Sequence, residues 1–430
     1  MHTRRMLGLV ASAAIIAGAC SSGTASTAPS KAASVAPAPS QAASVAPSVA
    51  AATPGPSLPT AAELGSTQGQ TINVLAWPGY VENGSNYPEY DWVADFEKSS
   101  GCKVKPQIFG TSDEAYTLFS TNPEQFDIVS ASGDASLRLV RGGFVQPVNV
   151  DLFKSYPDIF PALKNKPYNT VDGVAYGVPH GRGSNLMMWR TDQVTPAPTK
   201  WAQMFDPASG YKVSVYDAPI YIADAAVVLM KTKPELNIKN PYALDDAQFA
   251  AAVDLLKQQE PTVTQRWVDY LKQQDDFRSG TSNVGTTWQV ITNLLKAEKT
   301  PVKVDVIKPA EGATGWSDTW MINSKTKNLA CSYAFIDHLT SPVTNARIAD
   351  YFGEAPGNAK SCTLTPAEFT PSISATTMAD HCTLFHANDD AFWSDVWYWQ
   401  TPEVACVDGR TDVKCKGFGD WIKAWTEIKG

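Results

Sequence analysis

From residue 71 onward the chain alternates β-prone runs with amphipathic stretches. Thr71-Ile72-Asn73-Val74-Leu75-Ala76 reads as a strand, and residues 90–98 follow with Trp92, Val93 and Phe96 at helical spacing. Gly101 stops that helix; residues 102–109 predict a second strand, 116–119 a short helix and 126–129 a third strand. The middle of the chain repeats the pattern: strand 211–216, apolar helix 220–230, and helix 248–258 with Phe249, Val253 and Leu256 on one face. A buried strand at 284–288 runs into a helix, residues 302–307 alternate as a strand, and helices at 331–339 and 343–351 flank Ser341-Pro342. Such alternation implies an α/β fold, a parallel sheet with helices on both faces. About 360 residues exceed what one core usually holds, so two α/β lobes are expected.

The beginning of the chain has a different texture. Arg4 and Arg5 precede an apolar stretch, residues 6–19, that ends in small side chains at Ala17-Gly18-Ala19 before Cys20. This is the pattern of a secretory signal, too short to span a bilayer. Small residues before a cysteine resemble a bacterial lipobox, which makes Cys20 the expected lipidation site; simple secretion with Cys20 incidental is the alternative. Residues 21–60 are mostly Ala, Ser, Thr and Pro with Lys31 their only charge, and the run Ala32-Ala33-Ser34-Val35-Ala36-Pro37 recurs at Ala42-Ala43-Ser44-Val45-Ala46-Pro47. Such composition cannot bury a core, so residues 20–70 are expected to form a disordered tether on the lipidated cysteine.

Charge and cysteines narrow the function. A formal charge of −8 argues against a nucleic-acid binder. No apolar run after residue 20 approaches the ~20 residues of a membrane span, which argues against a polytopic membrane protein. Cys102, Cys331, Cys362, Cys382, Cys406 and Cys415 suggest disulfides in an exported chain. Their spacings fit no zinc motif. Cys406 and Cys415 flank the turn-rich Val407-Asp408-Gly409-Arg410 and are expected to pair; Cys362 with Cys382 comes next, leaving Cys102 with Cys331, although six cysteines permit many pairings. No nucleotide loop, HExxH or GxSxG occurs.

Several short pieces stand in a telling order. The first strand runs into Ala76-Trp77-Pro78-Gly79-Tyr80; then come Asp127-Ile128-Val129-Ser130, Tyr176-Gly177-Val178-Pro179, Asn185-Leu186-Met187, Trp201-Ala202-Gln203-Met204-Phe205-Asp206 and, at residues 312–318, GATGWSD. Together, over residues 71–360, they resemble the solute-binding proteins of polyamine-type ABC importers, the spermidine/putrescine-binding family. The resemblance implies a type II periplasmic-binding-protein fold, two α/β lobes joined by crossovers near residues 179–184 and 306–316. The implied parts are a signal peptide at 1–19, a first lobe at 71–180 and 318–360, a second lobe at 181–317, and a disulfide-containing helical segment at 361–430. It further implies capture of a small cationic solute by lobe closure, without catalysis or cofactor, by a monomer that delivers to an ABC permease and ATPase and touches the membrane only through its lipid.

A polyamine site needs carboxylates for ammonium groups and aromatic walls for methylenes. By the same resemblance, Trp77 and Tyr80 match the family's first-strand aromatics, Trp288 the aromatic after its "G-x-x-W" strand, and Trp316 with Asp318 its "W-x-D" pair. Asp217 falls where the family carries a strand-end acid, and Gln400 matches the glutamine of its terminal "W-Q". Glu354 replaces a tyrosine and Asp134 an aromatic, while Pro219 and Ile220 stand where a second acid is common. The number of acids is kept but their placement changes, which favours a cationic amine over spermidine specifically. Arg182 lies near a crossover and is expected to pair with an acid of the facing lobe or to meet a ligand carboxylate. His180, His338, His381 and His386 read as surface or hydrogen-bonded groups, and Trp393, Trp397, Trp399, Trp421 and Trp425 as packing at helical spacing. Rival ligands are an amino-acid-derived solute, thiamine or ferric ion; a secreted hydrolase is the rival from another class.

Overall fold

The protein is described by a computed structural model covering residues 57–373 and 375–430. The signal segment, Cys20 and most of the expected tether lie outside those residues. Three parallel strands, β1 (Thr71–Ala76), β2 (Lys103–Ile108) and β3 (Ile128–Ala131), come first, with β1 between the other two. Parallel neighbours need a long crossover, and helices Val93–Ser100 and Ser112–Thr121 supply it. A hairpin, β4 (Thr170–Val171) with β5 (Val174–Ala175), precedes β6 (Gly177–Pro179). The chain then passes through β7 (Gly181–Ser184) into β8 (Leu186–Arg190). A second parallel set, β9 (Val213–Tyr216), β10 (Val263–Trp267) and β11 (Val284–Thr287), is followed by β12 (Val304–Ile307). The return runs through β13 (Ala313–Trp316) to β14 (Thr319–Ile322), and the short β15 (Ala355–Pro356) and β16 (Val396–Tyr398) come last.

Two five-stranded sheets result, ordered β2-β1-β3-β14-β6 and β10-β9-β11-β8-β12. They share one plan: three parallel strands, then two more, each antiparallel to its neighbour. In each sheet the fourth strand enters directly after a passage between sheets, β8 after β7 and β14 after β13. This is the type II periplasmic-binding-protein fold. The first sheet is sealed by Ile72, Val74, Phe119 and Ile336, the second by Met188, Val213, Ala226 and Phe277.

The two passages are themselves paired. β7 and β13 are antiparallel neighbours in a third sheet, β15-β7-β13-β16, which the sequence pattern does not announce. Its strands are short and glycine-bearing, Gly181-Arg182-Gly183-Ser184 and Ala313-Thr314-Gly315-Trp316, and lack β-propensity. The glycines are required on steric grounds. A Cβ on Gly183 would meet the Trp316 ring at 2.2 Å, and one on Gly181 would meet the Glu354 carboxyl at 2.5 Å.

Two expectations are corrected at the ends of the fold. The tether was expected through residue 70, yet residues 59–70 are docked on the first sheet's layer. Asn149 donates to the Pro59 carbonyl, Thr67 to the Ser100 carbonyl, and Leu64 packs on the core. The segment from 361 onward is not only helical, because β16 joins the crossover sheet. Trp397 therefore stands on a strand, and Trp399 continues its ladder by donating its N–H to Gly315. Trp421 and Trp425 do lie on a helix, Phe418–Lys429, buried against the second lobe.

The cysteines pair as Cys102–Cys331, Cys362–Cys382 and Cys406–Cys415. The first joins the start of β2 to helix Leu329–Leu339 across 229 residues of sequence, tying the outgoing and returning halves of the first lobe. Replacing both Cys102 and Cys331 with alanine should lower the unfolding free energy by about 2–4 kcal/mol in urea melts. The Cys406→Ala/Cys415→Ala pair, closing a loop of 9 residues, should lower it less.

Candidate functional site

In open α/β sheets, ligand-facing groups collect beyond the carboxyl ends of the strands. Here Trp77 and Tyr80 follow β1, Ser132 and Asp134 follow β3, Asp217 follows β9 and Trp288 follows β11. Asp318 sits between β13 and β14, directly after the return passage.

Asp318 is the organising group. It is buried, accepts the Ser132 hydroxyl at 2.5 Å on Oδ1 and the Tyr80 hydroxyl at 2.7 Å on Oδ2, and among the described residues no cation contributes to its environment. Ser132 accepts in turn from the Trp77 indole N–H at 3.1 Å, and the Trp77 backbone N–H donates to Ser130. Burial pushes the Asp318 carboxyl up to about 6 against the pull of the two hydroxyl donors. Glu354, fully buried, lies 3.2 Å from the Tyr80 hydroxyl, so one phenol bridges two carboxyl groups. Burial first, then the Asp318 charge, raises Glu354 far above the usual carboxylate range. Tyr80 packs at 4.1 Å between ring centroids on His180, whose Nδ1 accepts from the Trp320 indole at 2.8 Å. Burial lowers His180 to about 3, so its imidazole is neutral.

A chain of rings continues from this acid pair into the second lobe. Tyr80 meets Phe352 at 4.8 Å, Phe352 meets Trp316 at 5.7 Å, and Trp316 meets Trp288 at 6.4 Å. Trp288 meets Tyr216 at 5.9 Å, and Tyr216 stacks on Trp399 at 5.8 Å with the planes 17° apart. Trp288 is aimed by a polar relay: its Nε1 donates to Asn185, Asn185 donates to Thr314, and Thr314 donates to buried Asp224 at 2.9 Å. Burial pushes Asp224 up to about 7.

The remaining expected residues separate into two groups. Asp134 is buried at the start of helix Gly133–Arg141, its Oδ1 makes no hydrogen bond, and burial with help from Asp113 pushes it up to about 7. It stays within electrostatic reach of the Tyr216 phenol, which burial and then Asp134, Asp113, Asp318 and Asp217 together push up. Asp217 is engaged by the final helix, accepting from the Trp425 indole and the Lys429 ammonium, both at 2.9 Å. Gln400 turns away from the rings and accepts from Asn240, while its neighbour Trp399 faces them. Arg182 meets neither a facing acid nor the rings. It projects from the opposite face of β7, donates to the Tyr398 hydroxyl and the Ala387 carbonyl, and lies 4.2 Å over Trp393.

Sequence reading passed over Ser132, Asn185, Tyr216, Phe352, Trp399 and His180 as members of this group. Only position could have revealed them: all but Phe352, which closes helix Pro342–Phe352, end or directly follow a strand or border a passage between lobes. Among the described residues no cluster of three or more His, Cys, Asp or Glu side chains could hold a metal, and no helix is long and apolar enough to cross a membrane.

A family profile described as bacterial extracellular solute-binding protein matches residues 91–375. The chain belongs to that family. Among curated relatives of this solute-binding protein, the spermidine/putrescine-binding periplasmic protein 1 of Haemophilus influenzae is 23% identical over 323 residues, 74% of this chain and 84% of the relative. The putrescine-binding periplasmic protein PotF of Escherichia coli is 25% identical over 305 residues, 67% of this chain and 80% of the relative. Among solved structures, a putative spermidine/putrescine ABC transporter from Listeria monocytogenes superposes with a TM-score of 0.64 at 19% identity, covering 84% of this chain and 99% of that one. The spermidine/putrescine substrate-binding protein PotD of Streptococcus pneumoniae gives 0.61 at 16%, covering 84% and 97%.

The raised carboxyls of Asp134, Asp224 and Asp318 bind their protons more tightly in the folded than in the unfolded chain. Their contribution to stability is therefore complete below about pH 4 and lost as pH rises through about 6 to 7. Asp224→Asn keeps the bond from Thr314 and removes one such charge. Thermal melts should show this variant raised over the parent more at about pH 8 than at about pH 5.

Proposed function

We propose that this solute-binding protein captures a small cationic amine, of the putrescine or spermidine kind, between its two lobes and delivers it to the permease and ATPase of an ABC importer. The observation that carries the reading is Asp318: a buried carboxylate held by two hydroxyls, without a cation, at one end of an arc of aromatic rings. A buried carboxylate without a counter-charge is destabilising by several kcal/mol. An ammonium beside it removes that penalty, and ring faces attract the same cation by about 0.5–2 kcal/mol each. Asp134, buried and pushed up to about 7, is a second acid that a bound ammonium would hold in its charged form.

The reading includes export by the segment before Cys20, anchoring through that cysteine, and a monomer whose lobes are residues 71–180 with 318–360 and residues 181–317. Support for export comes from the three disulfides and from membership of an extracellular family.

A second reading rests on the indole N–H groups of Trp316 and Trp399. Both are buried without an acceptor, and an ammonium cannot serve them. A solute bearing a carboxylate as well as an amine could, which keeps the amino-acid-derived class in contention.

Thermal melting and calorimetry of the full chain with putrescine, spermidine, γ-aminobutyrate and thiamine decide between these. A ligand at a hundred times its Kd stabilises by about 2.7 kcal/mol, a shift of several degrees. Stabilisation by the polyamines alone supports the first reading, stabilisation by γ-aminobutyrate the second, and none by any amine removes both. Asp318→Asn should weaken amine binding at least roughly tenfold, the loss of one charge-assisted contact.

A further inference from the structure

Two carboxyl groups meeting at one phenol pose a counting problem. Tyr80 has a single hydroxyl proton. At 2.7 Å from Asp318 and 3.2 Å from Glu354, that proton belongs to Asp318. An ionised Glu354 would then present its Oε2 to a phenol lone pair. Its Oε1 makes no hydrogen bond; His180 Nε2, which carries the ring proton because Nδ1 accepts from Trp320, lies 3.3 Å away without hydrogen-bond geometry. The imidazole cannot supply charge either, because Nδ1 is committed as acceptor to Trp320. Gly181 packs so close to the Glu354 carboxyl that not even a methyl fits between them.

We infer that Glu354 serves the site as an un-ionised acid that donates its own proton to Tyr80, leaving Asp318 as the single charged carboxylate of the trio. The proton chain then runs in one direction: Glu354 donates to the Tyr80 oxygen, Tyr80 donates to Asp318, and Ser132 completes Asp318 from the other side. The titratable groups around Glu354 agree with this. Tyr80 and Asp318 face it from the first lobe, neutral His180 from the crossover, and the His381 ring meets its backbone carbonyl. Among the described residues no arginine or lysine contributes, and burial with the Asp318 charge favours the protonated form. Glu354 is thus a positioning residue. It orients the phenol that orients Asp318, and this pole of the cleft accepts one ammonium rather than two.

The inference deepens the amine-binding reading and depends on it only for its affinity test. Putrescine titrations of the full chain at about pH 8 should give Glu354→Gln an affinity within about threefold of the parent, because glutamine also donates to Tyr80, against a loss of at least about tenfold for Asp318→Asn. A Glu354→Gln loss as large as that of Asp318→Asn would overturn the inference, since Glu354 would then be a charged ligand of the amine. Infrared spectroscopy of the ligand-free parent needs no amine. It should show the carbonyl stretch of a buried, un-ionised carboxylic acid at about pH 8, absent from Glu354→Gln and kept in Asp318→Asn. Its absence from the parent overturns the inference whatever the ligand is. Failure of every amine to bind while the band is present removes the amine reading and leaves the protonated Glu354 standing.

Discussion

A carboxylate removed from water and given no cation is the constraint around which this molecule is arranged. Asp318 lies where the chain returns to the first lobe, and each neighbour makes its charge tolerable: Ser132 from the end of β3, Tyr80 from beyond β1, and Trp77 holding Ser132. With Asp318 itself, those residues come from three separate stretches, so the first sheet must form in its observed order before the charge can be housed. The crossover sheet is equally bound to it. His180, at the outgoing passage, donates its backbone N–H to the Asp318 carbonyl, which joins the two passages at the point where the charge sits. Fold and site are consequently the same set of contacts seen at two scales.

Much of this was legible in the sequence because it follows local rules. Strands such as Thr71–Ala76 and Val213–Tyr216 have β-branched residues at regular intervals, and helix Asp246–Gln259 has a clear apolar face. Trp77, Tyr80, Trp288, Trp316 and Asp318 were legible through short motifs, each at a strand end, and the structure joins them by contacts between neighbours. Short strands with glycines were not legible, since β7 and β13 owe their conformation to each other and to Trp316 and Glu354, not to their own propensity. Nor was β8, whose Leu186, Met187, Met188 and Trp189 are buried on both faces and therefore show no alternation.

The departures in the site have equally physical causes. Asp217 has the right place in its strand, but Trp425 and Lys429, more than 200 residues later, claim its oxygen. No local pattern encodes such a partner. Gln400 and Trp399 differ by one residue, and in extended chain one residue reverses the face. There, where β16 and its continuation are extended, helical spacing assigned Trp399 to packing, while the resemblance to the family's terminal "W-Q" assigned Gln400 to the site. Ser132 carried no signature because a serine at a strand end is common, and only the arrival of Asp318 from 186 residues away gives it a role.

The tail from residue 396 onward touches every part of the architecture in turn. β16 is laddered to a passage strand, Thr401 bonds the Asp134 carbonyl, Glu403 pairs with Arg141, and the last helix is fastened to the second lobe at Asp217. Residues 397–403 are held from both sides, Trp397 and Gln400 by Tyr242 and Asn240 of the second lobe and Thr401 and Glu403 by Asp134 and Arg141 of the first, so any rotation of one lobe against the other acts on that short stretch. A dye on the exposed Lys423 would therefore ride with the second lobe, and one near Arg141 with the first. Their separation would turn the tail into a ruler for the angle between the halves.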